Sequence, residues 1–122
     1  MNSELKQIVD VVEKYFQVMN TYDLSLYDEV FSANAHLYGW RDGKHILWSA
    51  SEYRAIISER EAPSKQGHPL NGDIFNVSLI SSHQATAVVK VSLAGTVFHD
   101  NLTLFKNENG WQIVTKTFTV EA

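Results

Sequence analysis

Asp100 stands inside the run Thr96-Val97-Phe98-His99-Asp100-Asn101-Leu102-Thr103-Leu104-Phe105, where strand alternation places it on one face with Phe98, Leu102 and Leu104. Burying an unpaired charge is costly, so a carboxyl group in that setting is exposed, hydrogen-bonded, or kept neutral in a pocket. It marks the binding site that the residues predict. Tyr15 falls at the edge of the apolar stripe of a helical pattern. There its ring can pack while its hydroxyl reaches sideways into a pocket wall. The bland alternatives are that Asp100 pairs with Lys116 or Thr117 across a hairpin, or with backbone amides, and that Tyr15 is a core-edge aromatic. Other chemistries find less support. Among His36, His45, His68, His83 and His99 no pair has the i, i+4 spacing of a helical zinc site, and alternation sends His99 to the face opposite Asp100, so no metal is expected. Ser49, Ser51 and Ser58 lack a glycine-flanked nucleophile elbow, and the chain has no cysteine to serve as thiolate, zinc ligand or disulfide.

The elements that must position these groups follow from periodicity. Leu5, Ile8, Val9, Val12, Phe16 and Met19 recur at helical spacing opposite Lys6, Asp10, Glu13, Lys14 and Gln17, which predicts a long first helix with Ser3 as its cap. A short helix over Leu24 to Phe31 follows, then a strand over Ala35 to Arg41 that turns at Asp42-Gly43 into a return strand over His45 to Trp48. Ser51 is the expected cap of a third helix, Glu52 to about Arg60, stopped by Ala62-Pro63. The segment Pro63 to Asn71 reads as a loop, either a plain connection or a lid over a pocket. Strands are then expected over Ile74 to Ser81, Ala85 to Ala94, Val97 to Lys106 and Trp111 to Val120. Helices first and a meander last imply an α+β domain. In the last strand Trp111, Ile113, Thr115 and Thr117 share one face, while Val114, Phe118 and Val120 make the other apolar too. Helices can cover one face, so a partner subunit is expected on the other, giving a homodimer through the outer sheet face at Val114 and Phe118.

Length and charge bound the rest. A chain of 122 residues is the usual size of one domain, 1–122, and its 44% hydrophobic content excludes disordered and low-complexity classes. The formal charge of −4, with lysines scattered along the chain, argues against a nucleic-acid footprint. No apolar run approaches the ~20 residues a membrane span needs, and the opening residues Met-Asn-Ser-Glu-Leu-Lys start an amphipathic pattern, so the chain reads as cytoplasmic.

Several strings, taken in order, resemble the NTF2-like superfamily with its SnoaL-like and ketosteroid-isomerase-like branches, a cone fold in which a curved mixed or antiparallel sheet is wrapped by about three N-terminal helices. They are Val11-Val12-Glu13-Lys14-Tyr15-Phe16, Asp23-Leu24, Phe31-Ser32-Ala33-Asn34-Ala35 and Gly110-Trp111-Gln112-Ile113-Val114. More narrowly, Asp42-Gly43, Trp48, Phe98 to Leu104 and Lys116-Thr117-Phe118 resemble a bacterial subgroup labelled "putative lumazine-binding". The resemblance to steroid isomerases implies that Tyr15 and Asp100 match the oxyanion-hole tyrosine and protonated aspartic acid of that enzyme, a pair of donors suited to an enolate, phenolate or carbonyl oxygen. The isomerase base, in contrast, falls at Gly39, which has no side chain, and His36, Tyr38 and Tyr53 are the replacements to consider. Steroid isomerisation is therefore not expected.

These readings converge on a pocket that binds a small, flat, largely apolar molecule with one polar oxygen. Tyr15 and Asp100 would anchor it among Phe16, Trp48, Phe98, Leu102 and Thr117, with no cofactor implied. Two alternatives stand beside this: an isomerase, cyclase or dehydratase that stabilises an enolate with the same pair, and a non-catalytic dimerisation module whose cavity is filled by side chains.

Overall fold

The computed structural model describes residues 3–121. Helix α1 (Ser3–Thr21) buries Ile8, Val12, Phe16 and Met19 of the expected stripe, leaves Leu5 and Val9 half-buried, and buries Tyr15 and Val18 as well, so the buried face is turned toward Tyr15. Ser3, expected as the cap of this helix, is itself helical. Asp23 caps the short helix α2 (Leu24–Val30) by accepting a hydrogen bond from the Leu26 amide at 3.1 Å. The chain then passes directly into β1 (Phe31–Arg41), longer at its start than expected, and returns through β2 (Lys44–Ser49). The turn between them is made by Asp42 and Gly43, both with positive φ, as a two-residue hairpin of this type requires.

Helix α3 (Ala50–Ser58) begins and ends about two residues earlier than expected, and its cap is Ser49 instead of Ser51. The reason is Glu52. Standing three residues after Ser49, its carboxylate accepts from the Ser49 amide at 3.0 Å while Ser49 Oγ accepts from the Glu52 amide at 3.2 Å, a reciprocal box that Ser51 cannot form. A single turn of 3₁₀ helix (Pro63–Gln66) leads to β3 (Gly72–Leu79), β4 (Gln84–Leu93), β5 (Thr96–Asn107) and β6 (Gly110–Val120).

The six strands form one sheet in the order β2-β1-β6-β5-β4-β3. Only β1 and β6 run parallel; every other neighbouring pair is antiparallel. Helix α1 packs across β3, β4 and β6, and α3 lies over β1 and β2, so the helices cover one face and the core lies between the layers. The architecture is α+β, with helices and a mixed sheet as expected.

One irregularity decides where the site residues point. Along β5 and β6 the register runs Thr103↔Thr115 and then Leu104↔Ile113, so β6 carries one extra residue, Val114. A bulge of this kind switches which side chains face inward. Trp111 and Ile113 before it, and Lys116 after it, are all buried on the helix side. The apolar residues on alternate faces of β6 therefore mark a change of face within one strand, not a strand packed on both sides. Phe118, expected on the outer face as a dimer contact, instead lies on the inner face beside Lys116, where it lines a cavity.

Candidate functional site

Between the helical layer and the open end of the sheet lies a cavity of about 290 Å³, near the lower end of the range of small-molecule sites, ~300 Å³. α1 contributes Tyr15 and Met19, β2 Ile46 and Trp48, α3 Tyr53, β4 Val91 and Leu93, β5 Phe98 and Asp100, and β6 Lys116 and Phe118. Arg41, Arg60 and Glu61 stand at its mouth. The 3₁₀ turn lends Pro63 and Gln66 to the wall. This segment is tied down where Asn20 Nδ2 donates to the His68 carbonyl at 3.2 Å.

Tyr15 and Asp100 meet at the inner end. The Tyr15 hydroxyl donates to Asp100 Oδ2 at 2.5 Å, inside a region where Tyr15 is fully buried and Asp100 is 1% exposed. Burial first, and then the neighbouring Asp100 charge, push the Tyr15 hydroxyl well above the usual phenol range, so it stays a donor. The second carboxyl oxygen, Asp100 Oδ1, is buried without a hydrogen-bond partner. The pair is thus a chain in which the Tyr15 hydroxyl donates to Oδ2 and Oδ1 is left without a partner. Two separate donors converging on one oxygen, as the isomerase resemblance implied, are not what this geometry presents.

The structural alternatives for Asp100 fail on position. Thr117 is exposed on the outer face, its hydroxyl 3.5 Å from the Asn101 carbonyl, so it neither pairs with Asp100 nor lines the cavity. Lys116 shares the inner face, yet none of the ion pairs within 4.0 Å among the described residues joins it to Asp100. Its Nζ lies 3.6 Å from Met19 Sδ and 5.1, 5.2 and 5.4 Å from the ring centroids of Tyr15, Tyr53 and Phe118. Tyr53 in turn stacks on Trp48 at 5.5 Å and points its hydroxyl at Met19 Sδ, 3.4 Å away.

Of the other expected ligand contacts, Trp48 and Phe98 line the cavity, with the Arg41 guanidinium 5.4 Å above the Phe98 ring. Phe16 and Leu102 do not. Phe16 is buried beside Gly72, where a Cβ would overlap its ring, and Leu102 sits in the core between the layers. Of the replacement bases, His36 and Tyr38 are exposed on the outer face and only Tyr53 reaches the cavity. At Gly39, the position matching the isomerase base, a Cβ would collide with the Phe118 ring. The absent side chain makes room for an aromatic one from the adjacent strand. Sequence reasoning weighed Lys116 only as a partner for Asp100 and passed over Arg41 and Arg60. Locating the bulge would have been the signal for Lys116, because one residue of offset brings it onto the Asp100 face.

Comparisons with known proteins agree with this description of the fold. Similar solved structures include an NTF-2 like protein of unknown function from Silicibacter pomeroyi DSS-3, with 23% identity, 99% of each chain covered and a TM-score of 0.81. An NTF2-like protein of unknown function from Shewanella baltica OS155 has 22% identity and a TM-score of 0.83, with 98% of this chain and 95% of that one covered. A ketosteroid isomerase-like protein from Erwinia carotovora atroseptica SCRI1043 has 16% identity and a TM-score of 0.75, covering 100% of this chain and 99% of its own. No curated protein matches the chain. No helix among the described residues is long and apolar enough to cross a membrane. The family model described as "Putative lumazine-binding" matches residues 3–119, so the chain belongs to that family and has an NTF2-like fold.

Proposed function

We propose that this protein binds a small, flat, largely apolar molecule through a polar oxygen or N–H group held at Asp100. The observation that carries this reading is Asp100, which is among the residues lining a cavity walled by aromatic rings and whose carboxyl oxygen Oδ1 is buried without a hydrogen-bond partner. Buried polar atoms are nearly always hydrogen-bonded, so an exception at a cavity wall is accounted for when a ligand supplies the missing group. The family description, which refers to lumazine binding, fits a flat heterocycle of this size. The open volume weighs against a module whose interior is filled by side chains. An enolate-stabilising enzyme would need a base, and the position that resemblance points to is covered by Phe118.

A thermal-shift screen of phenols, steroids, pterins and flavins tests the reading. A ligand at 100 times its dissociation constant stabilises by about 2.7 kcal/mol, which is a readable rise in melting temperature. The rise should vanish in Leu93→Trp, which places an indole in the cavity from its partly buried wall. A rise of equal size in that variant would put the ligand elsewhere.

We propose further that the outer sheet face joins two copies of the chain. The support is a cluster at one end of that face, Tyr38, Trp40 and Leu47, respectively 43%, 52% and 61% exposed, with Tyr38 directly opposite Leu47 in register. It replaces Val114 and Phe118 as the expected contact. The double variant Trp40→Glu, Leu47→Glu should then halve the mass seen by light scattering at micromolar concentration. The same mass for variant and wild type would remove this interface.

A further inference from the structure

We propose that Lys116 is an anion anchor, so that the ligand of this cavity is a planar molecule carrying a carboxylate or a comparably acidic enol or lactam oxygen. This rests on the reading of the cavity as a binding site and names the class of molecule it takes.

Lys116 is 6% exposed and is among the residues lining the cavity. A lysine ammonium carries three donors, and among the described residues the acceptor it reaches is Met19 Sδ at 3.6 Å, a thioether and therefore a weak one. The faces of Tyr15, Tyr53 and Phe118 lie within 5.4 Å of Nζ, where ring quadrupoles attract a cation. They accept no conventional hydrogen bond. No ion pair within 4.0 Å among the described residues joins Lys116 to Asp100, which already receives the Tyr15 hydroxyl. A buried cation with neither counter-charge nor strong acceptor is an expensive arrangement, and an anionic oxygen in the cavity would relieve it.

The surroundings agree in sign. The charged side chains lining the cavity are Arg41, Arg60 and Lys116 against Glu61 and Asp100, three cations to two acids. A monoanionic ligand brings that set into balance. The two unfilled positions are also complementary: Lys116 offers donors and Asp100 Oδ1 an acceptor, so an acidic molecule whose anionic oxygen neighbours an N–H or O–H would use both. The aromatic walls select for a flat apolar body between them.

The test compares naphthalene carboxylate with naphthalene carboxamide, matched in shape and differing in charge, titrated by calorimetry into wild type and Lys116→Met. Methionine keeps the length of the side chain and suits an aromatic cage. Wild type should bind the carboxylate at least about tenfold more tightly than the carboxamide, and Lys116→Met should lose that preference while retaining carboxamide binding. Equal affinities in the wild type would overturn the anchor and leave the binding cavity standing. So would a preference that survives in Lys116→Met, which would move the anchor to the arginines at the mouth. Binding of neither probe to either protein would overturn the anchor and the cavity reading together. If Lys116→Met does not fold, the Lys116 side-chain resonance of isotope-labelled wild type decides. It should shift with the carboxylate and not with the carboxamide, and no shift with either would overturn the proposal.

Discussion

Replacing Gly39 by alanine should destabilise the protein by about 1 to 3 kcal/mol, and replacing it by aspartate should cost still more, ~3 kcal/mol or above, without giving an active isomerase. The sign is the informative part. In a strand, alanine in place of glycine ordinarily gains ~0.5 to 1 kcal/mol because it lowers the entropy of the unfolded chain. A loss therefore reports a steric conflict, and the conflict here is with the Phe118 ring, which a Cβ at Gly39 would overlap. Gly39 has no positive φ, so backbone strain does not contribute. In a Phe118→Ala background the same Gly39→Ala change should become neutral or favourable. Urea unfolding of the four proteins in the cycle measures the coupling. A coupling of zero would mean that the ring moves aside freely and that the base position is open after all. Aspartate adds a buried carboxyl to the overlap, which is why the position is closed to simple grafting of an isomerase base.

Tyr15→Phe should lower stability by about 3 kcal/mol near neutral pH. The substitution removes no carbon atoms from the core; its effect is to leave both Asp100 oxygens without a partner, where the wild type leaves only Oδ1. Removing the carboxyl as well should recover most of the loss, so Tyr15→Phe combined with Asp100→Leu should be more stable than Tyr15→Phe alone. Additive losses in the double variant would show that the hydroxyl acts through something other than Asp100. Asp100→Asn is expected to be mild, because the amide oxygen can still accept from Tyr15 and no ion pair is broken.

Alkaline pH gives a second readout of the same bond. The folded state holds Tyr15 above its ordinary value of 10.0, through burial first and then the Asp100 charge. A raised folded value gives stability that is complete below about pH 10 and is lost as the pH climbs beyond it, since only the unfolded chain then releases the proton. Tyr22 and Tyr27 are raised as well, each chiefly by burial. Unfolding free energy measured upward from pH ~9 should therefore fall less steeply in Tyr15→Phe than in the wild type, though it should still fall. Identical slopes would show that Tyr15 ionises as readily folded as unfolded.

How far the sequence exposes this structure depends on what each feature needs to be seen. The helical stripe of α1, the Asp42-Gly43 turn and the alternation around Asp100 are local patterns, and local patterns repeat in the structure. Tyr15 and Asp100 were legible as cavity residues for the same reason. Their direct bond was not, because periodicity assigns a face and says nothing of which atoms on that face touch. The most consequential miss comes from a single residue. Val114 is an unremarkable valine in a β-rich run, and whether it is bulged depends on pairing with β5. Without the bulge the alternation carries Phe118 outward and Thr117 inward, the reverse of where they lie. The cap of α3 failed differently, since both Ser49 and Ser51 are capable residues and the choice rested on Glu52 standing at the right distance from one of them.

The Tyr15 to Asp100 bond spans 85 residues, and the Lys116 to Met19 contact spans 97. Seen from the ribosome, this site has no early form. The first helix emerges with its phenol and thioether committed to partners near the other end of the chain, and loop closure over such separations must precede the contacts that repay it. Nothing resembling the cavity exists until β5 and β6 have been made and β6 has inserted between β1 and β5. A chain that stops before β6 therefore lacks Lys116 and Phe118, and with them one wall of the cavity.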